Sequence, residues 1–408
     1  MAQGHDTATE RPAVDSAGLR GSNQSGMRAH NERLVLSLVR RDGALAKSDI
    51  ARMTGLSAQT VSVIMRGLEA DGLLRRGEPI RGRIGQPSVP MSLAADGAFF
   101  YGLKIGRRSV DLVLVDLLGQ PVGFRRQTYR YPTPEAVVRF VLDALPALSA
   151  GLSVPQRGRI GGLGIAMPFQ LWNWVQHIAA PPGALDAWRD RDIAAELAVL
   201  CDMPVYVQND ATAACGAELV FGTGDRPSDF MYFYIGFFIG GGLVLNQRLF
   251  TGRTGNAAGV GPMPVPGPDG RSHRLMTVAS LSTLADAMTA AGEESDQLWA
   301  SPDHWQISDA VLSDWIAGAA EGLAGAILSA ATLVEIDTVM IDGWMPATLR
   351  ARRVAETQAA FMRLDLSGVT PPVIREGTVG PQARTLGGAA IPLSQRFLVD
   401  QTTIQKSG

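Results

Sequence analysis

The chain has 408 residues, of which 46% are hydrophobic and 19% charged, and its formal net charge is −2. That composition is ordinary for a soluble globular protein of two or three domains with a large core. Only Cys201 and Cys215 are present, too few for a disulfide framework, which points to a reducing cytoplasm.

Residues 1–27 are polar, lack the apolar centre of a signal peptide and read as a flexible tail. Met27 to about Arg41 reads as a helix with Leu34, Val35, Leu38 and Val39 inward. Lys47–Met53 is a second short helix, and Thr54-Gly55-Leu56 supplies a turn in which Gly55 is free to become left-handed. Ser57 is a good N-cap for a third helix, whose Val61, Ile64, Met65 and Leu68 recur at helical spacing. The other face carries Ala58, Gln59, Thr60, Ser62 and Arg66. Short hydrogen-bonding side chains reach base edges in a major groove where bulky ones would not fit, so Ser57, Gln59, Thr60, Ser62 and Arg66 are candidate DNA contacts. The competing reading of these residues alone is an amphipathic helix pair of a plain bundle.

The residues beyond the third helix favour DNA. A strand after Asp71-Gly72 and another near Val89–Leu93 bracket a wing whose glycines and prolines surround Arg75, Arg76, Arg81, Arg83 and Gln86. Arg81, Arg83 and Gln86 are its candidate contacts to phosphates or a minor groove. Between Met27 and Leu93 eleven basic residues stand against six acidic ones, about +5 on a chain that is −2 overall. One DNA-binding module on an otherwise acidic protein fits that asymmetry.

Residues 94–97 read as a short linker. Phe99–Ile105 and Ser109–Asp116 look like a hairpin of strands, and the turn at Leu118–Pro121 leads a third strand toward Tyr131. Helix Thr133–Ala150, strand Ile160–Ala166, helix Ile193–Leu200, strand Val205–Val207 and helix Ala211–Phe221 come next. The order then repeats: strands Met231–Gly236 and Leu243–Asn246, a long glycine-rich stretch, helix Ser313–Leu333, strand Val339–Asp342, helix Ala347–Phe361 and a closing small-residue helix Pro381–Pro392. A meander with alternation after it, twice over, indicates two related α/β lobes with a cleft between them. Phe230–Asn246 is apolar enough to raise the question of a membrane span. Gly236 and Gly240-Gly241-Gly242 favour two buried strands and a glycine-rich turn instead, so no membrane partner is expected.

Several stretches resemble the ROK family of repressors and sugar kinases: APPGALDAW at 180–188, MPVYVQNDATAACGAELVFG at 203–222, IGGGLVLNQRLFTGRTGNAAGVGPMPV at 239–265 and GPQARTLGGAAIPL at 380–393. With the winged helix-turn-helix the resemblance covers about residues 28 to 395. It implies an actin-like (ribonuclease H-like) two-lobed body, in which the kinases phosphorylate a sugar between the lobes.

Against the kinase pattern, the resemblance shows losses. Phosphoryl transfer needs groups that cradle the nucleotide phosphates, a magnesium site and a base. The family's Asp-x-Gly-x-Thr hairpin reads Lys104-Ile105-Gly106-Arg107-Arg108, its Gly-Thr-Gly turn reads Gly236-Phe237-Phe238, and its nucleoside-binding Gly-Gly reads Asp342-Gly343 before bulky Trp344. Asp210, which matches the family's catalytic base, is kept; without a nucleotide site it reads as a ligand contact at the start of the helix. The family's zinc-binding cysteines are missing from 266–278, and His273 there reads as a solvated side chain, so no metal is expected. Among the family's sugar contacts Asn209 and Asp210 remain, Val260 and Pro262 replace a Glu and a His, and Thr277 replaces a later Glu. A reshaped pocket then comprises Gln170, Asn173, Asn209 and Asp210 as polar contacts with Trp172 or Trp174 as a stacking face. The alternative is that the tryptophans only pack the lobe.

The chain therefore reads as a winged helix-turn-helix over residues 28–94 and an effector-binding, dimerising body over 95–408. Its expected partners are a double-stranded DNA operator, a sugar-like small molecule and a second copy of the chain, with no cofactor and no catalysis. The alternatives are a sugar kinase with a DNA-binding appendage and a constitutive DNA binder with a relic cleft.

Overall fold

Three helices begin the chain in the computed structural model, which describes residues 24–79, 88–173, 180–267 and 269–399. Helix α1 (Gln24–Asp42) packs across α2 (Lys47–Thr54) and α3 (Ala58–Ala70). The expected tail lies outside the described residues as far as residue 23, and its last residues already belong to α1. Helix α2 ends at Gly55, whose φ of 69° needs a residue without Cβ strain. Strands β1 (Leu74–Arg76) and β2 (Met91–Leu93) pair antiparallel as the base of the wing, and Leu45 bridges to Met91.

Two five-stranded sheets of the same design make the body. In the first, β3 (Phe99–Ile105), β4 (Ser109–Asp116) and β5 (Pro121–Thr128) form an antiparallel meander. Helices α4 (Pro134–Ser149) and α5 (Val154–Arg157) lead to β6 (Ile160–Met167), which pairs parallel to β3. Helix α6 (Ile193–Cys201) leads to β7 (Val205–Asn209), parallel to β6, and α7 (Asp210–Phe221) starts directly from its end. In the second sheet β8 (Phe230–Ile235), β9 (Ile239–Leu245) and β10 (Arg248–Phe250) form the meander. A small hairpin of β11 (Pro264–Pro266) and β12 (Ser272–Arg274) precedes helices α8 (Met276–Ala279), α9 (Leu281–Ala290), α10 (Gln297–Ala300) and α11 (Asp309–Leu333). Strand β13 (Thr338–Gly343) joins β8 in parallel, and after α12 (Ala347–Phe361) strand β14 (Val373–Glu376) joins β13. The strand orders β5-β4-β3-β6-β7 and β10-β9-β8-β13-β14 correspond position by position.

The closing helix α13 (Ala383–Phe397) runs back into the first lobe. Its fit depends on glycine: a side chain at Gly164 would strike the Gly388 carbonyl, and one at Gly387 would strike Ala213 of α7. Backbones this close bury their full contact area without side-chain entropy loss.

Two sequence expectations need correction. Gly240-Gly241-Gly242 lies inside β9, and the turn falls earlier, at Gly236–Phe238. The glycines are needed because α7 lies on β9, where a Cβ at Gly240 would sit 2.6 Å from that of Ala211. The long glycine-rich stretch is structured, holding the β11–β12 hairpin and three short helices with little periodicity to announce them. The short linker at residues 94–97 forms a tight 3-10 turn, with Gly97 buried 2.7 Å (at its would-be Cβ) from the Gly72 carbonyl.

The winged module and the first lobe accordingly share one core. Val35, Val39, Ile50, Val61 and Leu68 belong to the same buried cluster as Phe100, Val113 and Val115 of the sheet and Leu393 of α13. Each such side chain contributes about 1.5–3 kcal/mol on burial. Phe100 meets Phe397 edge to face at 5.9 Å, and the Val399 amide donates to the Ser37 hydroxyl. Helix α11 is long and apolar enough to cross a membrane, and half of that stretch is buried against the second sheet through residues such as Ile316, Leu323 and Ile327.

Candidate functional site

Helix α3 presents its polar face outward. Ser57 caps it by accepting from the Thr60 amide at 3.1 Å, and the two hydroxyls meet at 2.8 Å. Gln59 and Arg66 are exposed and Thr60 and Ser62 half-buried. Ser62 receives the Lys47 ammonium at 3.2 Å, and Arg66 donates to the Ser62 carbonyl. Val63, 48% exposed between them, was missed by sequence reasoning because it interrupts a polar face; a methyl-bearing side chain there suits a thymine methyl. At the wing base Arg76 pairs with Glu69 and Arg75 is exposed, while Arg81, Arg83 and Gln86 lie outside the described residues.

Between the lobes, two hairpin tips face each other. The β3–β4 turn brings Arg107 over the ring of Phe238 at 4.7 Å and Arg108 over Phe237 at 5.8 Å, both on the β8–β9 turn. Phe237 also meets Phe238 at 4.8 Å and Trp299 at 5.2 Å, and is buried in the first lobe's core. Arg126 of β5 stacks on Trp344 at 4.1 Å and donates to the Trp299 carbonyl at 2.7 Å. Desolvated cation–aromatic contacts of this kind contribute about 2 kcal/mol each.

Behind the tips, Lys104 is buried and turned onto its own hairpin, donating to the Ser109 hydroxyl at 2.6 Å and to Asp111 at 3.2 Å. Burial pushes its ammonium down to about 8, with Asp111 pulling the other way. The Tyr129 hydroxyl is shared between the carbonyls of Gly106 and Ser109, pinning the turn. In the second lobe the Asp342 carboxylate is fully buried. It accepts from the amides of Gly343 and Gly380, from the Tyr232 hydroxyl and from Arg350. Burial raises its pKa, against the opposing pull of Arg350 and these donors.

The residues expected to hold a ligand come to the same end of one sheet. Met167 of β6 is in register with Asn209 of β7, so the loop with Gln170, Trp172 and Asn173 lies beside Asn209 and Asp210 at the carboxyl ends of parallel strands. Ligands of open α/β sheets bind in such a crevice. Gln170 has φ 56°, and its side-chain oxygen accepts from the Asn173 side-chain NH2 at 3.0 Å. Trp172 packs against the first lobe's core with Arg189 over its ring at 5.7 Å, and Trp174 lies outside the described residues.

Asn209 and Asp210 are not equivalent. The Asn209 carboxamide oxygen caps α7, accepting from the amides of Ala211 and Thr212, so its amino group is the part left for a ligand. Asp210 is buried and accepts from Arg384 of α13 at 3.1 Å. Arg384, beneath which lies the Tyr234 ring at 4.7 Å, was not singled out by sequence reasoning; its one signal is a lone cation among the small residues of GPQARTLGG. His273, expected to be solvated, is about one-third exposed and pairs with Asp269 at 2.8 Å. Among the described residues no group of three metal-ligating side chains converges.

A winged helix-turn-helix whose core continues into a body of two duplicated, actin-like lobes defines a class: a DNA-binding transcriptional regulator with a two-lobed regulatory body. Residues 100–388 match the ROK family, residues 26–83 match the MarR family, and the chain belongs to the ROK family. Among its relatives, an uncharacterized protein of Sinorhizobium fredii is 25% identical over 90% of this chain and 91% of its own length. A transcriptional regulator of Mycobacterium tuberculosis is 24% identical over 92% and 87%. The xylose repressor of Bacillus subtilis is 24% identical over 60% of this chain, which spans only 62% of that repressor. Among solved structures, a ROK family transcriptional regulator described as a homolog of the Escherichia coli MLC protein superposes with a TM-score of 0.64 at 18% identity, covering 93% of this chain and 99% of the other. A ROK family glucokinase of Streptomyces griseus, solved with glucose and AMPPNP, superposes at 0.56 and 21% identity over 72% and 98%.

Proposed function

We propose that the protein is a cytoplasmic, homodimeric repressor whose interlobe crevice senses a small polar, sugar-like molecule and that it does not phosphorylate it. The observation that carries this is the contact of the two hairpin tips. Arg107 and Arg108 stack on Phe238 and Phe237 where the kinase pattern places phosphate-binding turns, and the Asp342 carboxylate is spent on internal donors. Regulators among the relatives, one of them a xylose repressor, support the same direction. Asp210, Asn209, Gln170 and Asn173 are the proposed polar contacts and Trp172 a packing wall. On the DNA side, Ser57, Gln59, Thr60, Ser62, Arg66, Arg81, Arg83 and Gln86 are the proposed contacts. One winged module reads few base pairs, so a two-fold dimer on an inverted repeat supplies the affinity.

The mechanism is a population shift. A ligand that wedges between the lobes must displace the aromatic and guanidinium layer. The movement reaches α3 through the core that the winged module shares with β3 and β4. The test is operator binding, on DNA selected from a random pool, with and without a panel of pentoses, hexoses and polyols, beside a coupled ATPase assay on the same panel. Ligand-dependent release without turnover is expected; sugar-dependent ATP turnover overturns the reading. The filled cleft itself favours one second reading, a constitutive DNA binder, which predicts no response to any member of the panel.

A further inference from the structure

At the junction of the winged module and the body lies a cavity of about 590 Å³, walled by α1, α7, the β9–β10 hairpin and α13, with Gln208 of β7 also in its lining. Sites for small ligands fall in the range ~300–1,000 Å³. Its lining is basic: Arg33, Arg40 and Arg41 from α1, Arg226 and Arg248 from the body, with His30 beside them. None of the described residues that line it is acidic. Of the described carboxylates nearby, Asp42 neutralises Arg41, Asp116 accepts from the amides of Leu118 and Gln120 and lies near enough to Arg40 to act on it, and Glu218 is spent on Thr378 and Val379.

Arg40 is the centre of this arrangement. It donates to the Leu117 carbonyl, yet its Nε is buried with no hydrogen-bond partner. Burial, and then the like charge of Arg226, push its pKa down to about 10. Arg40 and Arg226 line the same cavity, Asp116 only partly offsets their repulsion, and an anion between them would turn that cost into a gain. Position on α1 argues against the DNA backbone as that anion. His30, Arg33, Ser37 and Arg40 fall on one stripe, about half a helical turn from Val35 and Val39, which pack toward α3.

We propose that this junction cavity is a second ligand site, for a small phosphorylated molecule whose phosphate oxygens are shared between Arg33 and Arg40 of α1 and Arg226. A ligand held from both walls fixes the angle of α1 on the body and so the pose of the reading helix, independently of the interlobe crevice.

The experiment titrates the full chain with inorganic pyrophosphate and with fructose 1,6-bisphosphate, against fructose, by calorimetry and thermal melting. Comparison is with the double variant Arg33→Gln/Arg226→Gln and with Asp210→Asn in the crevice. One saturable phosphate site per chain that raises Tm is expected, at least tenfold weaker in the double variant and unchanged in Asp210→Asn. Melting of the unliganded variants checks that both are folded, and Arg226→Lys, which keeps the charge, should restore part of the affinity. The proposal is overturned if the wild type shows no saturable phosphate binding, if the double variant binds as well as wild type, or if Asp210→Asn alone abolishes binding. It is equally overturned if the double variant only flattens the salt dependence of DNA binding, which would assign these arginines to the DNA backbone.

Discussion

Asp210 and Arg384 tie the first turn of α7 to the first turn of α13, oxygen to nitrogen at 3.1 Å, each side chain 11% exposed. The pair closes a corner of the crevice whose other walls are the two hairpin tips. Any ligand that uses Asp210 must compete with, or include, this arginine.

That relationship decides which variant can test the crevice. Asp210→Ala leaves the Arg384 guanidinium buried without its partner and should cost about 3 kcal/mol of stability, the usual penalty for breaking a buried pair. Asp210→Asn keeps the shape and an acceptor, should cost less, and should retain operator binding while losing the response to the sugar panel. An Asp210→Asn protein that responds at the same ligand concentration would place the sensing site elsewhere.

Replacing Phe237 and Phe238 by Thr and Gly, the residues of the kinase turn, should not restore ATP turnover, since Lys104 and Asp342 remain committed. It should remove buried aromatic area and lower stability by about 3–5 kcal/mol, the range for truncating a core Phe. Urea melts and a coupled ATPase assay read the two outcomes. Turnover in the double variant would show that the phenylalanines alone had silenced a kinase.

On DNA, Gln59→Ala and Arg66→Ala change exposed residues and should leave Tm within about 2 °C while weakening binding to a selected operator by about 1–3 kcal/mol per lost base contact. Val63→Ala should relax preference at one position only. Arg81→Ala with Arg83→Ala should weaken all DNA alike and lower the salt slope by about 0.9 per lost phosphate contact. Fluorescence anisotropy across a salt series measures each; an unchanged slope removes the wing from the interface.

Lys104 predicts an unusual alkaline stabilisation. Its folded value of about 8 lies below the ordinary lysine value of about 10.4. Between the two the unfolded chain holds a proton that the folded chain lacks, so stability rises with pH there, by at most about 1.4 kcal/mol per unit. Below pH 8 both states are charged and the contribution is flat. From about pH 8 to 9.5, before unfolded tyrosines ionise, the urea midpoint of the wild type should climb relative to that of Lys104→Met, the raised thiols of Cys201 and Cys215 lowering both proteins alike. Equal slopes in the two proteins would sink the assignment.

Much of this was readable from residues. The helix starts at Thr133 and Ser57 come from capping and the duplicated strand order from alternation, while the departures from the kinase turns were legible only through the family resemblance. The positions that failed share a cause. Gly240 to Gly242 look like a turn because glycine is flexible; only the distant α7 lying on β9 shows that they are there to be thin. Arg384 and Asp210 are 174 residues apart, and no local pattern announces a pair at that separation. The junction cavity is assembled from α1, α7, β10 and α13, each ordinary alone, so its charge is visible only once they are folded together.

The single core that joins Val35, Val61, Phe100, Val115 and Leu393 also bears on how such a chain can be taken apart or recombined. A cut after Ala94 would not release two domains. It would strip the reading module of its floor and leave Phe100, Val113 and Val115 facing water on a sheet that then invites aggregation. Grafting another DNA-reading module onto this body therefore requires recutting the outer face of β3 and β4 together with the last turns of α13, so specificity is exchanged by altering α3 residue by residue and not by swapping the module whole.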